Sequence, residues 1–512
     1  MIDGFESRPL RRGNTSPLAV AKENALFVSV SIPVEMGGAV PRVVITNGVA
    51  IGAIWLSACG NSGTQPSASG RLAFITQPPA TAEGTVVFTP AVRVAIQDAG
   101  GNTIAGATDP VTVSLTVTPQ GGTLAGTSTV NAVAGVATFS NLAVDKPRGG
   151  YTLIAQARGL ASVTSDTFRV KLTFAAVSAD SVHSCGLTTS GAVYCWGDNG
   201  DGEFGDGAGE PFSTTPVLAA GGRRFAAASV GWLDACGITT TGAMYCWGSD
   251  YFGQLGDGDS TYHLTPVPVA GAHVFTSHSA GLLHTCGVAA GGAGYCWGNN
   301  VMGQLGSGDT VSSPTPVAVA GGLTFSVISS NGYHTCGVTA SHAAYCWGWN
   351  RTNALGDSGT EAVSTTPVPV SGGLAFAAVS VGRNGTCGVT TTAAVYCWGP
   401  AYFGALMQIG NTLSFATVSS GRYHSCAVTT GGVGYCWGGN QFGQRGDSGA
   451  VVSGNTPVRV AGGLTFTAVS AGIMHSCAVT PSGAAYCWGN NDYGQLGNGS
   501  NTSTTGPAPV SQ

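Results

Sequence analysis

The stretch HSCGLTTSGAVYCWG, residues 183–197, decides the fold. It sets two cysteines ten positions apart, closes on Tyr-Cys-Trp-Gly, and recurs in similar form six more times. The pairs are Cys185 with Cys195, Cys236 with Cys246, Cys286 with Cys296, Cys336 with Cys346, Cys387 with Cys397, Cys426 with Cys436 and Cys477 with Cys487. Successive first cysteines are 51, 50, 50, 51, 39 and 51 residues apart. A period near 50 residues, with several short strands in each unit, signals an all-β propeller in which every repeat folds into one blade.

The unit itself predicts a hairpin. Setting Cys185 opposite Cys195 places Leu187 opposite Val193 and leaves Thr189, Ser190 and Gly191 for the loop. Such a loop ends in a left-handed residue, usually glycine. Gly242, Gly292, Gly432 and Gly483 agree, whereas His342 and Ala393 stand there in two units. Directly opposed residues of a non-hydrogen-bonded pair lie about 4.5 Å apart, at the short end of the disulfide range. A cross-strand disulfide is therefore expected in each unit, worth about 2–3 kcal/mol apiece in chain-entropy terms. Buried free thiols and zinc are the alternatives. A C-x9-C pair supplies only two ligands, where structural zinc sites combine close-spaced sets. Period two turns Tyr194 and Trp196 away from the cysteine face. Trp196, Trp247, Trp297, Trp347, Trp398, Trp437 and Trp488 are thus expected to pack each blade against its neighbour.

GQLGDG at 253–258, GQLGSG at 303–308 and GQLGNG at 494–499, with the HSC, HTC and YCWG phrases, resemble the RCC1 (regulator of chromosome condensation) repeat. The resemblance covers residues 171–512 and implies a seven-bladed propeller of the bacterial exported type. The array opens on Leu172-Thr173-Phe174, a phrase that elsewhere joins one repeat to the next, and ends at Pro507–Val510. The first strand is accordingly expected to complete the last blade. The fifth unit lacks the GDG and TPVPV segments after Trp398-Gly399, which reads more readily as decay than as a binding site.

Ahead of the array, residues 72–170 hold β-rich runs at 92–98, 111–117, 135–144 and 151–157, separated by AGGN and PQGG turns. This spacing predicts an antiparallel β-sandwich. ITQPPATAEG, VAIQDAGGNTIAG, GVATFSNLAV and GYTLIAQARG resemble bacterial Ig-like domains, which implies a spacer. Further upstream, the apolar run 43–58 ends in Leu56-Ser57-Ala58-Cys59. It is short for a membrane span and has the layout of a secretory signal. The LSAC phrase resembles a bacterial lipobox, which implies lipidation of Cys59, the one cysteine outside the repeats. Residues 1–58 are thus read as leader, with a true start expected at Met36, and 59–71 as a tether.

Composition removes several function classes. From Phe174 onward there are seven arginines, no lysine and fifteen acidic residues, so no basic stripe for nucleic acid exists. No GxSxG, P-loop, HExxH or dinucleotide fingerprint occurs. His183, His284, His334, His424 and His475 recur two positions before a cysteine, with Asp234 and Gly385 in the other units, and near-identical repetition argues for architecture over catalysis. Asp206-Gly207 and Asp257-Gly258-Asp259 are turn signals rather than calcium loops. Arg445-Gly446-Asp447-Ser448 is a degenerate GQLGDG and not an integrin motif.

The expected protein is therefore non-enzymatic and cofactor-free, a monomer lipid-anchored in the bacterial cell envelope, outer membrane or surface. It would bind a protein or glycan through loops such as 198–210, 250–252 and 349–353; Trp232 and Trp349 are candidate contacts, with a core role as the equal alternative. Guanine-nucleotide exchange on a small GTPase is the alternative that the resemblance implies.

Overall fold

A computed structural model describes residues 70–116, 121–219, 222–351, 353–383, 385–402, 404–449 and 453–511. The leader, Cys59 and the tether up to residue 69 lie outside the described residues. No helix among the described residues is long and apolar enough to cross a membrane.

The first part is built on two main sheets sharing one core, with a two-stranded sheet of Leu124–Ala125 and Ala143–Val144 beside them. Arg71–Thr76, Val92–Gln97 and Val136–Phe139 make one sheet. Thr81–Glu83, Phe168–Lys171, Arg148–Ala157, Pro110–Thr116 and Thr129–Asn131 make the other. Alternating apolar residues face inward from both, among them Val94, Ile96, Phe139, Val113, Leu153 and Phe168.

Seven four-stranded antiparallel sheets follow, each a simple meander in chain order. The inner strands begin with Phe174–Ala179 in the first blade and end with Ala468–Ala471 in the seventh. The ring closes by packing of the seventh sheet on the first, where Trp196 and Leu172 share a core with Cys477, Cys487 and Leu496. The expected strand exchange does not occur: Phe174–Ala179 pairs with His183–Thr188 of its own blade. Thr504–Pro509 already supplies the outer strand of the last blade, so no place is left for an N-terminal strand.

A serine in each inner strand links the blades. Ser178, Ser229, Ser279, Ser329, Ser380 and Ser419 each accept the backbone N–H of Val230, Ala280, Ser330, Val381, Ser420 and Ala471 in the next blade. Ser470 closes the circle by accepting from Ala179 at 2.9 Å.

The hairpin geometry follows the register read from the sequence. Cys185 pairs with Cys195 and Leu187 with Val193. All fourteen repeat cysteines form cross-strand disulfides. Cys185 is bonded to Cys195, Cys236 to Cys246, Cys286 to Cys296 and Cys336 to Cys346. Cys387 is bonded to Cys397, Cys426 to Cys436 and Cys477 to Cys487. The thiol and zinc alternatives are therefore not realised. In one respect the geometry departs from expectation: the paired Cα atoms lie 4.0–4.1 Å apart, closer than the strand spacing implied. The bridge joins directly opposed residues and draws the two strands together there. Gly191 is left-handed at φ 84°, and His342 and Ala393 are forced into the same region at 67° and 64°.

Candidate functional site

Each blade grips the next through its disulfide face. The Cys185–Cys195 face packs on Phe225 and Trp247 of the second blade, and all seven CWG tryptophans are fully buried. The second cysteines, Cys195, Cys246, Cys296, Cys346, Cys397, Cys436 and Cys487, are fully buried as well. Cys246 and Cys296 share cores with Trp297 and Trp347 of the following blades, and Cys346, Cys397 and Cys436 do the same with Trp398, Trp437 and Trp488. These residues thus belong to the joints, and none of them lines a cleft described below.

The GQLG loop completes the joint. The carbonyl of Gln254 accepts the indole N–H of Trp297 at 2.9 Å, and Glu203, Gln304, Gln444 and Gln495 do the same for Trp247, Trp347, Trp488 and Trp196. The glycine two residues later lets the loop lie on the indole: a Cβ on Gly256 would sit 2.5 Å from Trp297.

The repeated histidines belong to this joint. Nε2 of His284, His334, His424 and His475 lies 2.7–2.8 Å from Thr335, Thr386, Ser476 and Ser184 of the next blade. Thr335, Ser476 and Ser184 donate to the same glutamine carbonyls, so they accept from the imidazole and fix its neutral Nε2–H form. Burial pushes these four histidines down to about 3–4. They are structural hydrogen-bond donors, not bases.

The first, second and fifth blades break this scheme, the fifth because Gly385 stands in the histidine's place. Ala235 replaces the hydroxyl that would face His183, and Asp234 replaces the second blade's histidine. Neither carboxylate oxygen of Asp234 has a hydrogen-bond partner among the described residues. Burial raises it well above the usual carboxylate range, helped by the charges of Asp180, Asp250 and Glu203. Burial also pushes Glu203 up to about 8 and Asp180 to about 7.

The strand order assigns every loop to one of two faces. The turn from second to third strand and the crossover between blades emerge on one face. The sandwich is fixed there: Glu83 accepts from the N–H and hydroxyl of Thr173 at 2.7 Å, Arg224 donates to Thr85, and Tyr194 donates to the Asp145 carbonyl at 2.7 Å. The loops after each CWG and the inner turns emerge on the opposite, open face. Near the axis, Asn331 of the fourth blade donates across to Asp180 of the first at 3.4 Å. Inner turns there are tightly apposed, and a Cβ on Gly421 would lie 2.0 Å from the Gly472 carbonyl.

The open face is broken at the fifth blade. Its outer strand is only Met407–Ile409, and a 3-10 turn, Pro400–Tyr402, replaces the long loop. Tyr402 does the missing loop's work: its hydroxyl accepts the Trp437 indole N–H at 2.9 Å. The shortened blade leaves a cleft on each flank. One, of about 790 Å³, is lined by Asn350, Arg351, Asn353, Thr360 and Pro400 among others. The second, of about 660 Å³, is lined by Tyr423, Gly439, Gln441, Phe442, Gln444 and Asn455 among others. Both fall within the size range of ligand clefts.

The other sequence candidates sort by this map. The described residues of loops 198–210, 250–252 and 349–353 are all on the open face, where Tyr251 is 60% and Phe252 37% exposed. Trp232, in an inner turn, and Trp349 are half-buried. Arg445 is buried and paired with Asp447 at 2.7 Å, so its RGDS phrase is not presented. One group among the described residues converges as a metal site would: Asp257, Asp259 and His263 have donor atoms within 4.8 Å of one another. His263 Nε2 already sits 3.0 Å from Asp257. The blade-linking serines, the role of Tyr402 and the two clefts were not foreseen. The serine of F-x-x-V-S-x-G recurs in all seven units and was the available signal.

Profiles of the regulator of chromosome condensation (RCC1) repeat match residues 174–203, 225–254, 415–444 and 466–495, and in a second form 241–288, 292–338 and 482–512. The chain therefore carries RCC1 repeats in an RCC1-like β-propeller. These matches leave out 339–414, which includes the shortened blade. The ultraviolet-B receptor UVR8 of Arabidopsis thaliana is 32% identical over 89 residues, 17% of this chain and 20% of that protein. The human E3 ubiquitin-protein ligase HERC2 is 34% identical over 87 residues, 17% of this chain and 2% of that protein. The chain thus spans a fifth or less of the length of these curated relatives. Human WBSCR16 is similar in fold, with TM-score 0.56 and 18% identity, over 64% of this chain and 92% of that one.

Proposed function

We propose that the chain is an exported, lipid-anchored, non-enzymatic binding protein. Its Ig-like sandwich is a spacer, and its propeller presents the open face to a protein or glycan partner. The observation that carries this reading is the shortened fifth blade, flanked by two clefts on the face the sandwich leaves clear. Seven disulfides fit an oxidising compartment, and Leu56-Ser57-Ala58-Cys59 fits a lipid anchor there.

The test is site-specific photo-crosslinking of the full chain in envelope preparations of the producing cells. A crosslinker at Thr360 or Gln441, on the open face, should capture one discrete partner. A crosslinker at Thr430, in the exposed turn on the sandwich side of the sixth blade, should not. Equal capture from both faces would refute the assignment.

A further inference from the structure

At one loop position the sixth blade departs from the third and seventh in a way that opens its floor. In the third blade Gln304 donates its side-chain amide to Asn299 at 2.7 Å, and in the seventh Gln495 donates to Asn490 at 2.6 Å. Each pair closes the floor of its loop. In the sixth blade the asparagine is replaced by Gly439. Gln444 keeps the other half of the arrangement, accepting the Phe442 N–H at 2.9 Å through Oε1. Its Nε2 donates to no group among the described residues, although the side chain is only 2% exposed. A Cβ at Gly439 would lie 3.5 Å from that Nε2, so the glycine is the gap through which the amide reaches the cleft.

The walls around this buried donor are aromatic rings and amides, with one guanidinium beside them. Tyr423 is 42% exposed and carries the Arg422 guanidinium over its ring at 4.7 Å, while Phe442 is half-buried. Gln441 and Asn455 expose amides at the rim, and Asn455 also donates to the Ala401 carbonyl of the shortened blade at 3.5 Å. Among the described residues no carboxylate or ammonium lines the cleft, and its nearest cation, the Arg422 guanidinium, is already engaged with the Tyr423 ring. A charged ligand would lose hydration there for at most that one shared counter-ion. A ligand with several hydroxyls and an apolar C–H face meets every group: amides both donate and accept, and aromatic rings cover apolar surface.

We infer that the cleft over Gly439 is a subsite for a neutral saccharide, with the Gln444 amide donating to a sugar oxygen and Tyr423 and Phe442 packing on the ring's C–H face. The inference rests on the reading that the open face binds, and it names the ligand chemistry there.

The probe is a panel of neutral and acidic oligosaccharides presented to the full disulfide-bonded chain, with hits titrated by calorimetry. Wild type should bind neutral members. Gly439→Asn restores the residue found in two sister blades and closes the floor; its Cβ would meet the Tyr423 Cβ and carbonyl at 3.1 Å, so a thermal melt must show it folded, and it should weaken binding at least tenfold. Gln441→Ala with Asn455→Ala, which leaves the floor open, should also weaken it. Binding of no saccharide, binding of acidic members only, or equal binding by Gly439→Asn would overturn the proposal. If saccharides fail while the open-face crosslinkers still capture a protein, the ligand class is wrong and the face is right. If those crosslinkers also fail, both readings fall.

Discussion

Trp437 gives its indole N–H to the phenol oxygen of Tyr402 at 2.9 Å, where five other blades give theirs to a backbone carbonyl of the preceding GQLG-type loop. The joint between the fifth and sixth blades is thus rebuilt around one side chain. Tyr402→Phe removes the acceptor and leaves a buried donor unpaired, a loss of about 1–3 kcal/mol. Guanidinium denaturation of the oxidised protein should show the lower midpoint. An unchanged midpoint would mean that the tyrosine is dispensable to the ring.

Ala393 sits at φ 64° in a hairpin turn where five sister blades have glycine. A non-glycine residue in the left-handed region costs about 1–2 kcal/mol, partly offset by the entropy glycine adds to the unfolded chain. Ala393→Gly should stabilise the protein by about 1 kcal/mol. The same exchange at His342 should gain less, because its ring lies 3.1 Å from the Phe376 carbonyl, a contact that glycine loses.

Ring closure rests partly on Ser470, which accepts the Ala179 N–H across the seam between the seventh and first blades. Ser470→Ala should cost about 1 kcal/mol. Amide exchange at Ala179 should rise locally, with little change at Val230, whose N–H is held by Ser178 in the adjoining seam.

Stability should peak between about pH 6 and 7. His183, His278, His284, His334, His424 and His475 are buried neutral, each pushed down to about 3–4 from 6.5. The unfolded chain takes up these protons first, so their contribution is complete above pH 6.5 and is lost as pH falls. Asp180, Glu203, Asp234 and Asp250 are raised by burial, so the native state holds their protons longer. For Asp180, Asp250 and Glu203 the contribution is complete below about pH 4 and is lost as pH rises through 7 to 8, and Asp234 acts in the same direction. Asp234→His, the residue of five sister blades, should flatten the alkaline limb and raise the urea midpoint at pH 8. A pH profile unaltered by this exchange would contradict the assignment.

The hairpin register was legible because it is a local property: ten-residue cysteine spacing, a glycine at the turn and period two fix it together. The inter-blade role of the tryptophans was legible from the same parity. That the second cysteines, from Cys246 to Cys436, press on the next blade's tryptophan was not, since parity separates the two faces of one sheet and says nothing of what each meets. Ring closure was misread, since LTF at 172–174 marks the start of any repeat and carries no information on which sheet the strand joins. The clefts beside the fifth blade were also hidden. The shortened fifth blade was visible as a deletion, but the replacement of a loop carbonyl by the Tyr402 hydroxyl joins residues 35 positions apart in adjacent sheets. The gap at Gly439 was likewise mute, because a glycine beside Gly438 has no meaning until Gln444 is seen beneath it.

The most direct measurement compares retention of the purified full chain on envelope and culture fractions of the producing cells for three arginine variants. Thr360→Arg and Gln441→Arg place a charge in the two clefts beside the fifth blade, and Thr430→Arg places one on the sandwich side. The open-face account predicts at least tenfold weaker retention for the first or second variant and wild-type retention for the third. Wild-type retention by both cleft variants, or loss confined to Thr430→Arg, would contradict it.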